Sequence, residues 1–407
     1  MIENKKIVVI ADDFTGAAEI GGIGLRHDLN VAIETEPIYN KDIDLLVIAT
    51  DTRSMAKEEA SACITHITKQ VLKFNPMFIY KKIDSALRGN ILDELTAQMK
   101  IMDKNRSVII AANPELKRII KDGKYYVDNI PLNKTRFSID SQYPIKTNDV
   151  IKVLSPFADS AIINLKSSDP LPDKGIILGD VENADDLLNW ALKFDEKTLF
   201  AGASGFFNSL LLALRCSKQQ SKNTIIPFGN PALFVLGSSY PKDKETLAKM
   251  IEYGHYHSNM PEEIYYNKKY DPVLLDKWVE DVITGIQKHG KVIVSSIHTK
   301  SKENGISIRV KKIMTELVRK LFERTSFNEI LIEGGSTTSE ILDQLNIKKL
   351  TPIQELDTGV IRMRVDKIPN LCLTTKPGSY QWPENVWMKE KIDKNKRQSL
   401  LNIKIHE

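Results

Sequence analysis

At 407 residues the chain is too long for one typical domain, and two are expected. Hydrophobic content of 42%, charged content of 27% and a formal charge of +4 are those of an ordinary soluble protein. Lys and Arg are scattered, so no nucleic-acid footprint stands out, and the mildly basic balance suits an anionic small molecule. Three widely spaced cysteines, Cys63, Cys216 and Cys372, lack metal-ligand spacing and argue for a reducing cytoplasm. No stretch approaches the ~20 apolar residues of a membrane span. The N-terminus leads straight into a strand, without the roughly 7–15-residue apolar core of a signal peptide.

In chain order, strands are expected at 7–11, 45–50, 77–80, 107–111 and 160–165, with amphipathic helices at 57–74 and 90–100 between them. This alternation predicts a mostly parallel sheet with helices on both faces. Residues 118–137 break the rhythm and read as a short β-excursion at the rim. Further α/β units follow: a strand at 175–179, a helix from 184, a strand at 198–201 and a helix at 204–214. The polar stretch 217–223 is the best linker candidate. It divides an N-terminal domain, 1–220, from a C-terminal domain, 221–407. In the latter, strands are expected at 233–238, 292–296 and 329–333, with a helix at 307–324 whose apolar stripe is core. The last twenty residues are charged and read as a solvated helix or tail.

Three strand ends carry the candidate chemistry. The first strand runs into Asp12-Asp13-Phe14-Thr15-Gly16, the second into Asp51-Thr52-Arg53-Ser54, and the third into Lys81-Lys82-Ile83-Asp84-Ser85-Ala86-Leu87-Arg88-Gly89-Asn90. In a parallel sheet all three clusters share the rim where ligands bind. Asp and Ser at strand-to-helix junctions often cap helices and nothing more; three clusters on one edge favour a site. Mixed carboxylates and cations suit a small polyhydroxylated acid: Arg can clamp a carboxylate, and Asp can accept a proton from a hydroxyl. Ala111-Ala112-Asn113-Pro114 and Arg118 form a weaker fourth cluster. In the second domain, Gly237-Ser238 and Gly334-Gly335-Ser336-Thr337-Thr338 are glycine-bearing strand ends, the latter opening a helix whose amides favour an anion. Thr375-Lys376-Pro377-Gly378 is a third. There is no Walker A motif. His255-Tyr256-His257 has no evident third ligand and reads as exposed strand histidines, and no metal site is expected.

Together these motifs resemble, in order, those of the four-carbon acid sugar kinase family, from about residue 6 to 380. The resemblance implies ATP-dependent phosphorylation of an acid such as threonate, erythronate or 3-oxo-tetronate, with the acid on the N-terminal domain and ATP on the C-terminal one. On that reading Asp12 and Asp84 are catalytic. Asp13, Thr15, Arg53, Lys82, Ser85 and Arg88 bind substrate, with Arg53 or Arg88 gripping its carboxylate. Ser238, Gly334, Gly335, Ser336, Thr337, Thr338 and Gly378 bind ATP, and Mg2+ arrives on the nucleotide. The active site would lie between the domains, and a homodimer is one expected assembly. Departures from the family pattern fall at 111–115 and at Ile119-Ile120, on the substrate rim. The alternatives are a non-catalytic sugar-acid sensor and a haloacid dehalogenase-like phosphatase. The latter needs carboxylates two apart, where this chain has Phe14.

Overall fold

The run Ile7-Val8-Val9-Ile10-Ala11 has no polar side, and such a strand requires cover on both faces. In the computed structural model it is β1 (Ile7–Ala11), wholly buried. Residues 6–139, 143–155, 162–216, 226–237, 241–296, 306–378 and 380–386 are described by the structure. The expected linker, Ser238 and the charged last twenty residues lie outside them. The chain divides into two compact units, Met1–Ile226 with Gly335–Pro377, and Pro227–Gly334 with Gly378–Glu407.

After β1 the first unit continues with α1 (Phe14–Arg26), β2 (Val31–Glu34), β3 (Leu45–Ala49), α2 (Lys57–Leu72), β4 (Phe78–Lys82), α3 (Ile91–Met102) and β5 (Arg106–Ile110). Next come β6 (Arg118–Lys121), β7 (Lys124–Val127), β8 (Ile130–Pro131), α4 (Val150–Leu154), β9 (Ile162–Leu165) and β10 (Gly175–Gly179). Its N-terminal segment closes with α5 (Ala184–Ala191), β11 (Thr198–Gly202) and α6 (Ser204–Ala213). The second unit contains β12 (Ala232–Leu236), α7 (Pro241–Glu252), β13 (Tyr256–Asn259), α8 (Glu262–Tyr266), α9 (Pro272–His289), β14 (Lys291–Ser295), α10 (Ile306–Arg324) and β15 (Glu329–Glu333). The chain then rejoins the first unit as α11 (Gly335–Gln344), β16 (Lys349–Asp357), β17 (Val360–Val365) and β18 (Cys372–Lys376).

Within the first unit the strand order is β18-β17-β16-β2-β3-β1-β4-β11-β5-β10-β9. From β2 to β9 every neighbour is parallel. The returning strands β16, β17 and β18 add antiparallel at the β2 side. The second unit has its own parallel sheet, β13-β14-β12-β15. Both units are thus α/β with mostly parallel sheets, as the strand–helix alternation predicts. The excursion is the three-stranded antiparallel sheet β6-β7-β8. No helix among the described residues is long and apolar enough to cross a membrane.

Side chains alternate along β4 and separate the two helical layers. Tyr80 packs on Phe206 and Phe207 of α6. Lys82, on the same face, reaches within 3.6 Å of Glu19 on α1. Ile79 turns the other way, into a cluster with Val8, Ile10, Leu46 and Ile48 of the sheet and Ile64, Ile67 and Val71 of α2. Lys81, on that second face, pairs with Glu94 of α3, both side chains being fully buried. These pairings explain why β4 runs past its expected end at Tyr80: both lysines sit inside the strand, paired to carboxylates on α3 and α1.

The histidine expectation is corrected. His255 is buried against the Phe234 ring and His257 is half-buried, its ring bonded to Ser295 Oγ at 2.8 Å.

At the end of β11 a Cβ on Gly202 would sit 2.2 Å from the Ile110 carbonyl oxygen and 2.8 Å from the Tyr80 hydroxyl. Backbone of a central strand cannot yield there. Gly202→Ala is therefore expected to cost about 1–3 kcal/mol, read as a lowered melting temperature; an unchanged melting curve would refute the packing described.

Candidate active site

The parallel register sets Ala11 beside Ala49 on one side and Lys82 on the other. The ends of β1, β3 and β4 therefore open onto one rim, at the carboxyl edge where open α/β sheets bind ligands.

Asp13 is the N-cap of α1, accepting from the Gly16 amide at 2.8 Å and from Thr15 Oγ1 at 2.6 Å. Arg53, on a 3-10 turn after β3, joins both aspartates. Its Nε and Nη2 donate to the two carboxylate oxygens of Asp12 at 2.8 and 3.0 Å, and its Nη1 donates to Asp13 at 2.8 Å. The same Nη1 lies 3.6 Å from Asp84 Oδ1. Arg88 holds Asp84 in a second fork, from Nε at 2.7 Å and Nη2 at 2.9 Å. Amides of Ala86 and Arg88 also donate to Asp84. Gly89, at φ +91°, lets this loop lie against Arg53, whose Cγ would be 3.0 Å from a Cβ there.

Lys82 is buried beneath the start of α1, donating to the Ile83 carbonyl at 3.0 Å. Ser85 Oγ accepts from Arg118, and the Ser85 carbonyl accepts from the Tyr125 hydroxyl at 2.5 Å. Asp12, Asp13, Thr15, Arg53, Lys82, Asp84, Ser85 and Arg88 thus share one rim. Asp51 is exposed and lines a neighbouring cleft with Ser339 and Asp343 of α11. Three further rim residues escaped sequence reasoning: Tyr125, Tyr143, whose hydroxyl donates to the Arg53 carbonyl, and Glu19. No spacing signal marked the tyrosines; Tyr125 is brought in by the excursion and Tyr143 by the segment after it.

Environment separates the three aspartates. Burial pushes the Asp12 carboxyl above its ordinary value, against the pull of Arg53 and with a further push from Asp13. Asp13 is also buried, but Arg53, Lys82 and the Thr15 hydrogen bond bring it below that value. Burial acts on Asp84 too, and the guanidinium groups of Arg88 and Arg53 overcome it, holding this carboxyl well below the usual carboxylate range.

The helix α11 meets this rim from within the same unit. A Cβ on Gly335 would fall 2.9 Å from Thr15 Oγ1 and 3.1 Å from Asp13 Oδ2. The first turns of α1 and α11 are therefore in close apposition, and glycine at 335 permits it. Gly335, Ser336 and Thr337 present main-chain amides and hydroxyls suited to a phosphate. The Thr338 hydroxyl turns inward to Thr375, at 2.9 Å. Gly334, at φ +92°, and Gly378 belong to the second unit, and no described atom lies within 4 Å of where their Cβ atoms would sit. Among the described residues, no group of three or more His, Cys, Asp or Glu could hold a metal ion. The rim aspartates face guanidinium groups.

Two family models match in sequence order: a sugar-binding N-terminal domain over residues 7–210 and a nucleotide-binding C-terminal domain over residues 233–380. A D-threonate kinase of Salmonella typhimurium is 28% identical over 246 residues, 55% of this chain and 58% of that protein. A D-erythronate kinase of Heliobacterium modesticaldum is 32% identical over 157 residues, 37% of this chain and 36% of that protein. A 3-oxo-tetronate kinase of Brucella melitensis is 26% identical over 174 residues, 41% of this chain and 40% of that protein. The alignments span less than two thirds of the length of these curated relatives. Solved structures from Salmonella typhimurium LT2 and Haemophilus influenzae share the fold. Their TM-scores are 0.76 and 0.68, each at 18% identity and 92% coverage of this chain, with 96% and 97% of those chains covered. A sugar-binding domain followed by a nucleotide-binding domain defines the two-domain class of this chain. The chain belongs to the four-carbon acid sugar kinase family.

The depressed Asp84 carboxyl gives a pH test. Its folded value lies below its ordinary 3.8, so its contribution to stability is present above that value and is lost as pH falls toward the folded one. Asp84→Asn is expected to lower the melting temperature at neutral pH and to flatten its decline below about pH 4. An identical offset at every pH would contradict the pairing.

Proposed function

We propose that the chain transfers the terminal phosphoryl group of ATP to a hydroxyl of a four-carbon sugar acid. The observation that carries this reading is the apposition of the α11 first turn, at Gly335, with Asp13 and Thr15 at the start of α1. A phosphate held by α11 amides would stand next to the carboxylates that handle a sugar hydroxyl. The sugar-binding and nucleotide-binding family matches support the same pairing, as do relatives named D-threonate, D-erythronate and 3-oxo-tetronate kinase.

Phosphoryl transfer asks a protein for alignment and charge neutralisation more than covalent help. ATP, when bound, supplies the group that is transferred. Asp12 is the best placed general base, because burial raises its carboxyl while Arg53 fixes its orientation. Asp84, held far down by Arg88 and Arg53, is a poor proton acceptor and serves to position those arginines. This narrows the expected pair of catalytic aspartates to one base and one organiser. Lys82, under the first turn of α1, offsets charge developing beside Asp13. We assign the acid to residues 1–220 and the nucleotide to 221–407, including Gly334, Gly335, Ser336, Thr337 and Gly378. Phe14 is buried where the phosphatase alternative would need a second carboxylate.

A coupled ADP-release assay across threonate, erythronate and 3-oxo-tetronate tests the reading. Turnover is expected with at least one acid, and Asp12→Asn should lower kcat by about 10²–10⁴-fold in an enzyme that remains folded at the assay temperature. ADP release that no acid stimulates would refute it. An Asp12→Asn enzyme with unchanged kcat would remove Asp12 as base.

A further inference from the structure

We propose that the first turn of α6 and the side chain of Asn113 seat the 2-hydroxy-carboxylate end of the substrate. The helix amides take the carboxylate, and the Asn113 amide takes the hydroxyl beside it. This deepens the sugar-acid kinase reading and rests on it. The sequence alone points to Arg53 or Arg88 for that carboxylate.

The seat lies on the same rim as the aspartates. Ala11 of β1, Lys82 of β4, Gly202 of β11 and Ile110 of β5 are level in the parallel register. α6 starts at Ser204, just past the end of β11, as Asp84 lies just past the end of β4. β4 is the one strand between β1 and β11. The start of α6 is thus two strand spacings, about 10 Å, from the strand end that carries Asp12. A four-carbon acid with a hydrogen bond of ~3 Å at each end spans that distance.

No side chain caps the N-terminus of α6. Its first amides have no intrahelical partner and favour an anion. Ser204, itself buried, adds a hydroxyl at the first position. Asn113 supplies the second element. It is 5% exposed, and its Oδ1 is buried with no hydrogen-bond partner among the described residues. A Cβ on Gly205 would fall 2.9 Å from Asn113 Cγ, 3.0 Å from Oδ1 and 3.1 Å from Nδ2. The terminal amide therefore lies against the second residue of α6, and glycine there admits it. A buried carbonyl left unpaired is costly, and folded proteins nearly always satisfy it. A hydroxyl next to a carboxylate on the helix amides supplies the donor that Oδ1 lacks. The backbone on both sides is held in place. Asn113 exchanges amide–carbonyl bonds with Arg118 at 2.8 and 3.0 Å, and the Tyr80 hydroxyl donates to the Ala203 carbonyl at 2.8 Å. A nucleotide phosphate shares the anion chemistry of the helix end, and the titrations below separate the two.

Calorimetric titration of the full-length protein with D-threonate, D-erythronate, 3,4-dihydroxybutanoate, erythritol and ATP tests the seat. Dihydroxybutanoate lacks the 2-hydroxyl, and erythritol lacks the carboxylate. Wild type is expected to bind a 2-hydroxy acid ~10-fold or more tightly than either. Asn113→Leu, which removes the amide at similar volume, should weaken that acid ~10-fold or more, erase its advantage over dihydroxybutanoate and leave ATP affinity unchanged. The melting temperature of the ligand-free variant should not fall, because Oδ1 gives up no bond. Gly205→Ala, whose methyl group displaces the Asn113 amide, should weaken acid binding similarly. Acid affinity within about twofold of wild type in both variants would overturn the seat while the kinase reading stands. A lowered melting temperature of ligand-free Asn113→Leu, with the preference for the 2-hydroxy acid intact, would make Asn113 a structural cap of α6 and overturn the seat. Loss of ATP binding with acid binding intact would show a phosphate site instead and overturn it as well. A wild type that binds ATP but neither 2-hydroxy acid would overturn the sugar-acid reading, and the seat with it.

Discussion

Arg53 is the residue on which the rim depends. Three aspartates, Asp12, Asp13 and Asp84, are buried within reach of its one guanidinium group. Without a cation they would repel one another and lose their hydration, a combination that buried carboxylates meet by taking up protons. A planar fork can hold Asp12 at two points and Asp13 at a third. Arg88 completes the balance at Asp84. The parallel register of β1, β3 and β4 makes the cluster possible, since it brings the three strand ends level.

From that balance the aspartates acquire different characters. Asp12 is the one whose carboxyl is raised, Asp13 caps a helix and answers to Lys82, and Asp84 is locked down. Three identical side chains just beyond the ends of β1 and β4 thereby differ in how readily they hold a proton. Gly335 then joins the rim to α11, because any side chain there would strike Thr15. One glycine thus links a segment late in the sequence to the first strand end.

Much of this was legible in the sequence. Short β-branched runs that end abruptly in Asp, Thr, Ser or Arg can hardly be anything but buried parallel strands meeting solvent. They placed Asp12, Arg53 and Asp84 on one edge before any coordinates. Other features were hidden. Lys81 and Lys82 read as a polar strand end, yet both are buried in β4, because their partners Glu94 and Glu19 lie on α3 and α1, where no local pattern announces the pairing. Strand β16 alternates buried and exposed residues weakly and contains Pro352 and several charges, and its pairing to β2 rests on contacts more than three hundred residues apart. Arg118 and Arg136 both lie over the Phe137 ring, and no local pattern encodes it.

The central claim is that the fork of Arg53, and not its charge, organises the site. The direct test is kcat/KM of an Arg53→Lys enzyme for its acid at saturating ATP. Lysine keeps the positive charge but cannot bridge Asp12 and Asp13 together. The account predicts a fall of ~10²-fold or more in a folded enzyme; a value within about threefold of wild type would contradict it.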